Sequence, residues 1–493
     1  MKNMKKILLS LAAVCFLFLP SCEKLEDLPI LQEQPMKESV QGYMNNPEKA
    51  ESVLFAAYFY LRYYNNFSRF YHTIAEAMTD YSYGYGSYAA ASTFKLDPTL
   101  IGRINDIWSC MYRCIRFCNT IIKQLEDADF DATRRKQIIA EARFLRAFAY
   151  MHLAQLWGAV PLITDKNMDN QGEYNYPRVA QEKIFEFCKD DLVAATKDLP
   201  DAQTMIGRAD KMVAYTVLTE VYLHLHDWNN ALLAAQTVVN SKKYSLVEVT
   251  VSDDFYNLYH PSLVNTTEEI FYLKYVDGKP NGSAFAAMLH RDNIWFLGSN
   301  FYGIYSTWEN KRMAEWDDAD LRKAFNIYTV DDEEGNTLIY NKKYIQLDPA
   351  KVDGDTAGND LPLYRYADLL MFYAEAAARA NGAPNADAME KLNMVHRRAY
   401  GKPSGTPNAA VDYKLADYTT LDSFIDLVLK ERCYEDCYEC KRYNDLKRCG
   451  KLAEYVLYAK GQTIGESAYL WPIPEDEFLY NKGISPEDQN PGY

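Results

Sequence analysis

The stretch "EARFLRAFAYMHLAQLWGAVPLITD", residues 141–165, is apolar nearly all the way round a helix as far as Trp157 and then meets Gly158 and Pro161. A helix apolar on every side belongs inside a protein, and Gly and Pro just past the last periodic residue end it. What surrounds it is read from its neighbours. "VAQEKIFEFCKDDLVAATKDL", after Arg178, supplies a second helix. A further pair lies in "MVAYTVLTEVYLHLHDWNNALLAAQTVVNSKKYSLV", where Ala214, Ala231 and Ala235 are small enough for two helices to close on each other. Another lies in "YADLLMFYAEAAARANGAPNADAMEKLNMVHRRAYG", with Gly382 and Pro384 at the turn. This is the helix-turn-helix pattern of tetratricopeptide repeats, and because one such pair cannot bury its apolar face alone, several must stack. Residues 141–157 are therefore predicted to be an inner helix of a stacked array.

Two regions break the helical pattern. Residues 63–102 are rich in Tyr, Ser, Gly and Ala ("TDYSYGYGSYAAAS"), and residues 245–362 mix loops with short β-prone pieces such as "EEIFYLKYV" and "NKKYIQLD". Long irregular insertions on a rigid scaffold are where binding residues concentrate. The predicted fold is mainly α: a tetratricopeptide-like helical repeat scaffold with an irregular, loop-rich ligand-binding portion containing a few short strands. One body over 39–493 is predicted. It divides into an N-terminal helical portion (39–244, carrying the aromatic loop 63–102), the irregular insertion (245–362), and C-terminal helices with a closing segment (363–493).

Residues 1–22 read "MKNMKKILLSLAAVCFLFLPSC", a basic start and a short apolar run ending at Cys22. The run is too short to span a bilayer comfortably and reads as an export signal, 1–21, followed by a polar tether, 22–38. Leu19-Pro20-Ser21-Cys22 resembles a bacterial lipobox, which implies lipidation of Cys22, and the following "EKLED" resembles the acidic stretch that directs lipoproteins of Bacteroidetes to the cell surface. The net charge is -15, and losing Lys2, Lys5 and Lys6 makes it more negative. Such a balance argues against nucleic acid and anionic lipid headgroups as partners, so membrane attachment would rest on the lipid. The 40 tyrosines, with 7 Trp and 22 Phe, supply rigid amphipathic faces suited to polar, hydrated ligands.

Five blocks in order carry a family resemblance: "EARFLRAFAYMHLAQLWGAVPL"; "AYTVLTEVYLHLHDWNNAL"; "YRYADLLMFYAEAAARANG" with "LNMVHRRAYG"; "LKERCYEDCYECKRYNDLKRCG"; and "LWPIPEDEFLYNKGISPEDQNPGY". They resemble the SusD/RagB outer-membrane lipoproteins of Bacteroidetes. The resemblance implies a helical scaffold with a more irregular ligand surface. It also implies a partner, a SusC-like TonB-dependent β-barrel transporter over which the protein sits as a lid, and a ligand that is usually a glycan, with peptides in some relatives. Cys437, Cys440 and Cys449 stand where the family carries other residue types.

Several chemistry-bearing residue sets also carry plain structural roles. Glu431, Glu435 and Glu439 recur every four residues, as on one helical face, with Arg432, Arg442, Asp445 and Arg448 nearby. A glycosidase needs two carboxylates facing a cleft, one of them with a raised pKa, whereas arginines keep acids ionised, so an ion-pair network is the stronger reading. Cys110, Cys114 and Cys118 form one stripe and Cys433, Cys437 and Cys440 another. They read as buried small side chains, with an inter-helix disulfide next, and their spacing matches zinc poorly. Asp353, Asp355, Asn359 and Asp360 lack the spacing of a calcium loop and read as a solvated turn. His224 and His226 face different ways. No nucleotide-binding or nucleophile motif occurs, so no catalytic residue, metal or cofactor is assigned.

What remains is an aromatic surface. Tyr81, Tyr83, Tyr85 and Tyr88 alternate through a Gly/Ser loop; Trp295, Tyr302, Tyr305, Trp308 and Trp316 fall in the second irregular region. A sugar ring lays its C–H face on an aromatic face while polar groups meet its hydroxyls, for which Asp80, Arg291, Asp292 and Asn293 are candidates. Within this set Tyr83, Tyr85, Trp295 and Trp308 lead, and Trp108, at helical spacing, reads as core. The function predicted is non-catalytic capture of a glycan for a partner transporter. Two alternatives stand beside it: a peptide-binding protein in the same transporter role, and a glycoside hydrolase.

Overall fold

The computed structural model describes residues 40–169, 173–278, 281–291 and 294–493. The signal segment, Cys22, the tether through Glu38, and the candidates Asp292 and Asn293 lie outside the described residues. The main helices are α1 Pro47–Arg62, α2 Phe70–Ala77, α3 Pro98–Leu125, α4 Ala132–Trp157, α5 Gln181–Asp198, α6 Lys211–His224, α7 Trp228–Asn240, α8 Tyr366–Asn381, α9 Ala386–Ala399, α10 Leu421–Glu435, α11 Arg442–Arg448 and α12 Leu452–Lys460. Each packs on its successor from α3 to α9, with α1 against α3 and α4, and α10 against α8. The predicted stacked array is present, and residues Met44–Tyr493 form one compact unit. Among the described residues no helix is long and apolar enough to cross a membrane.

The all-round apolar stretch 141–157 lies in α4. Asp131 caps it by accepting a hydrogen bond from the Arg134 amide, and Gly158, at φ 72°, stops it. All residues from Phe144 to Trp157 are buried, as an all-round apolar pattern requires. Burying each large apolar side chain here contributes about 1.5–3 kcal/mol. The few polar groups inside are paired: Glu141 with Arg208 at 2.6 Å, Arg146 with Asp191 at 2.7 Å, and His152 with the Tyr71 hydroxyl at 2.9 Å. That pairing is why a helix containing ionisable residues can sit at the centre of a core.

Eight short strands accompany the helices: β1 Tyr83–Gly84, β2 Val160–Pro161, β3 Arg178–Val179, β4 Glu269–Leu273, β5 Ile304–Thr307, β6 Ile327–Asp331, β7 Thr337–Asn341 and β8 Leu361–Arg365. An antiparallel sheet in the order β1-β5-β7-β6 brings the early tyrosine segment against the later insertion. The segment 63–102, read as a loop, is only partly one. Phe70–Ala77 is helical, with Tyr71 to Ala77 all buried.

The acids Glu431, Glu435 and Glu439 do not share one helical face. α10 ends at Glu435, and the chain then turns through Tyr438 (φ 63°) and Cys440 (φ 55°), so Glu439 arrives from a turn. The three acids instead meet cations from distant elements. Glu431 pairs with Arg322 (2.7 Å). Arg365, at the end of β8, reaches Glu268 (2.8 Å), Glu435 (2.7 Å), Asp436 (3.1 Å) and Glu439 (2.9 Å), while Arg398 joins Glu268 and Glu435 and Lys343 joins Glu439. The nearby arginines of the motif face elsewhere: Arg432 to Asp436 and Asp445, Arg442 to Asp80, Arg448 to Glu375. The loop 353–360 is not a solvated turn either, because Asp355 and Asn359 are buried, with Asp355 held by Arg69 and Tyr64. The eight cysteines of the described residues are free thiols, seven of them buried.

Removing Arg365 leaves buried carboxylates without their main counter-charge, a change that costs about 3–5 kcal/mol. Arg365→Met is expected to lower the unfolding free energy by that amount in a denaturant titration. A loss under about 1 kcal/mol would show that the cluster is not essential.

Candidate functional site

The tyrosine segment is aimed by its own backbone. Along a strand alternate residues share a face, so Tyr83 and Tyr85 point the same way. Gly84, between them, is the one residue that fits, since a Cβ there would lie 2.0 Å from the Tyr88 carbonyl oxygen. β1 pairs with β5 in the register Tyr83 to Tyr305. The Tyr83 and Tyr305 rings stack with centroids 5.5 Å apart, and Tyr85 meets Tyr302 at 5.0 Å and Tyr305 at 6.3 Å. Tyr302 holds its ring out from a φ of 33°, a conformation costly for a non-glycine residue, and its amide is tied to the His290 carbonyl at 3.1 Å. Tyr85 is 47% exposed, and Tyr83, Tyr302 and Tyr305 are half-buried, so the four rings form an open aromatic surface.

The surface has charged and polar borders. Lys460 lies 4.5 Å from the Tyr83 ring centroid, and Arg291 5.9 Å from that of Tyr302. The Arg291 amide donates to the Tyr328 hydroxyl at 3.0 Å. Tyr328 in turn borders a cleft of about 480 Å³ with Trp308, Asp318 and Lys323, where Trp308 is 37% exposed and Lys323 sits 5.0 Å over its ring. Trp295 is half-buried beneath Lys342 at 5.1 Å.

Four of the sequence candidates are placed elsewhere. Tyr81 is fully buried, donating its hydroxyl to Glu76. Tyr88 is buried under Arg103, whose guanidinium lies 4.1 Å from its ring centroid. Trp316 is buried, stacked 4.6 Å from Tyr434 with its N–H on Asp320. Asp80 is also buried, paired with Arg442 at 2.8 Å, and cannot border a ligand. In each case a tertiary partner claims a side chain that the local pattern left open. Sequence reasoning missed Tyr328 and Lys460, which are ordinary residues of their segments until the fold brings them beside Arg291 and the Tyr83 ring.

Beneath the surface the acids are sealed. Burial raises the Glu431 carboxyl, but Arg322 and His396 outweigh it and hold it at about 2; Glu435 and Glu439 are likewise held low against burial by their arginines and lysine. Two carboxyls are exceptions. Burial, with Asp368 beside it, pushes Asp436 up to about 8 against Arg432 and Lys441. Burial likewise outweighs the Glu76 hydrogen bonds from Tyr81 and the Cys440 amide, with Lys343 and Glu439 near by, and pushes Glu76 up to about 7. It has no access to solvent. A carboxyl whose folded pKa lies above its unfolded value of about 4.3 stabilises the fold below that value and loses the contribution as pH rises to about 7.

A helical-repeat scaffold holding an open aromatic surface over buried, neutralised acids is the architecture of a binding protein. Residues 236–493 match the SusD family, and residues 30–223 match a family described as "Starch-binding associating with outer membrane", so the chain belongs to the SusD family. It is 25% identical over 421 residues to a SusD-like protein of Formosa agariphila, covering 80% of this chain and 81% of that one. Its fold is similar to the crystal structure of a SusD homolog from Bacteroides thetaiotaomicron (TM-score 0.79, 23% identity, 92% of this chain and 98% of that one). It is also similar to a laminarin-binding SusD-like protein (TM-score 0.72, 23% identity, 91% and 100%).

Glu76→Gln is expected to flatten the pH dependence of stability between about pH 4.3 and 7, stabilising the fold by up to roughly 3 kcal/mol at pH 8 relative to wild type. Denaturant titrations of both proteins across that range provide the check. Parallel curves would show that Glu76 does not titrate there.

Proposed function

We propose that this protein is a non-catalytic cell-surface lipoprotein, anchored through Cys22, that binds a glycan and delivers it to a SusC-like TonB-dependent transporter as its lid. The observation that carries the reading is the open surface of Tyr83, Tyr85, Tyr302 and Tyr305, fixed on a sheet where the two irregular segments meet. Aromatic faces suit the C–H faces of sugar rings, and the phenol hydroxyls, Arg291 and Lys460 supply hydrogen bonds around them. An openly placed surface suits a long chain crossing it. Trp308 and Trp295 extend it as further contacts. The laminarin-binding relative supports a sugar as ligand, and the family description supports the outer membrane as the location.

Hydrolysis finds no support in the same geometry. Glu431, Glu435 and Glu439 are buried and held ionised by cations, and the two acids whose pKa is raised as a general acid's must be, Asp436 and Glu76, are both buried, Glu76 beneath Tyr81. Individual sugar contacts are weak, so tethering beside a transporter matters more than raw affinity, through effective concentration.

The test is binding of the purified protein to host and plant polysaccharides, including laminarin, by affinity gel and calorimetry. Tyr85→Ala combined with Tyr305→Ala is expected to weaken binding at least tenfold, which is about 1.4 kcal/mol, without shifting the thermal midpoint by more than a few degrees and with no sugar released by the wild type. Unchanged affinity in the double variant would place the site elsewhere, and turnover of the polysaccharide would make the protein an enzyme.

A further inference from the structure

A second cavity, sharing no residue with the tyrosine surface, lies along α3. It measures about 780 Å³, within the range of small-ligand sites, and is closed by segments 163–169 and 173–176 and by the chain at 474–477. Its walls are aromatic: Trp108, Tyr112, Tyr174 and Tyr176. Glu477 fixes two of them, accepting the Trp108 indole N–H at 3.1 Å and the Tyr174 hydroxyl at 3.1 Å, with Asn481 donating at 3.2 Å. Trp108 is therefore core, as its spacing predicts, and also part of a wall.

The polar groups fall into two sets. At the rim Arg113 is held by the Tyr60 hydroxyl, Lys123 by Asp169, and Lys482 by Glu173. Inside, the Asn105 side-chain oxygen is buried without a hydrogen-bond partner. Ser109, Arg116 and Asp476 also line the cavity, and no side-chain hydrogen bond or ion pair engages them among the described residues. The unengaged set holds donors and acceptors with one positive and one negative charge, so it has no net charge. An apolar ligand would leave the Asn105 acceptor unsatisfied, which costs free energy, and an anion would face Glu477, Asp476, Glu173 and Asp169. A neutral ring bearing several hydroxyls satisfies both the aromatic walls and the mixed polar set.

We propose that the cavity between α3, segments 163–169 and 173–176 and the 474–477 turn is a second sugar-binding site, taking a neutral hexose-type ring of the glycan; this rests on the glycan reading above. The two sites are joined by one rigid element. Arg103, in the first turns of α3, donates to the Ser87 carbonyl (3.1 Å) and hydroxyl (2.8 Å), bracing the tyrosine loop, and Tyr112 of the cavity wall lies about 13 Å further along the same helix axis. A chain of several sugars engaged at both points gains avidity without new contacts.

The experiment titrates the purified protein with neutral gluco-oligosaccharides, laminarin-derived ones included, by calorimetry, and soaks the same sugars into crystals. The variants are Tyr85→Ala with Tyr305→Ala, Tyr174→Ala, and Arg116→Ala with Asp476→Ala. The expected result is two sugars per wild-type chain and one per tyrosine-surface variant. Adding Tyr174→Ala or the Arg116→Ala, Asp476→Ala pair to that variant then weakens the remaining binding at least tenfold. Should Tyr174→Ala fail to fold, the second pair, on exposed side chains, carries the test. One sugar per wild-type chain, lost in the tyrosine-surface variant, would overturn the second site and leave the proposed function standing. No sugar bound by the wild type would overturn both.

Discussion

The structure depends on a fully buried arginine. Arg365 ends the strand β8 and begins α8, and its guanidinium collects carboxylates from the start of β4, from the end of α10 and from the turn that follows. These segments lie far apart in the chain. Burying so many charges is tolerable because each carboxylate meets a cation, with Arg398, Arg322 and Lys343 completing the set. The cluster specifies one arrangement of elements that apolar packing alone would hold less strictly. A hydrophobic contact tolerates sliding, whereas a hydrogen-bonded guanidinium does not.

That arrangement reaches the tyrosine surface by a short path. The turn 436–441, held by Arg365 and Lys441, presents its Tyr438 amide to the Tyr81 hydroxyl at 2.8 Å and its Cys440 amide to Glu76 at 2.5 Å. Arg442, just beyond, holds Asp80. Residues 76–81 are thus clamped from below, and the two tyrosines that follow, Tyr83 and Tyr85, emerge onto the sheet edge against β5. The tyrosine segment is thus held by hydrogen bonds on one side and by β5 on the other, which lowers the conformational freedom it has to lose in any contact.

The helical array was legible in the sequence because its signal is local and periodic. The all-round apolar pattern of 141–157 and the small residues of the paired helices each follow from the helical repeat alone. The ionic character of the 431–445 motif was legible too, as acids and arginines in close order. Its partners were not: Glu435 reads as a neighbour of Arg432 and is held by Arg365 and Arg398, because i,i+4 spacing describes one helix and carries no information on elements that dock against it. The aromatic candidates divided for the same reason. Tyr81, Tyr83, Tyr85 and Tyr88 alternate in one loop, yet Glu76 and Arg103 draw the first and last inward while β5 receives the middle two.

The sequence by itself determined the class of fold, the family and the two irregular segments in which ligand contacts would be sought, since composition, period and motif order are properties of the chain alone. Only the tertiary structure decided which aromatics are open, that Asp80 and Trp316 are buried, and that Trp108 and Tyr174 wall a cavity with a glutamate from the C-terminal segment. The physical reason is that exposure is settled between elements. A tyrosine on a flexible-looking stretch is a ligand platform or a core residue according to what packs against it, and those contacts join residues hundreds of positions apart.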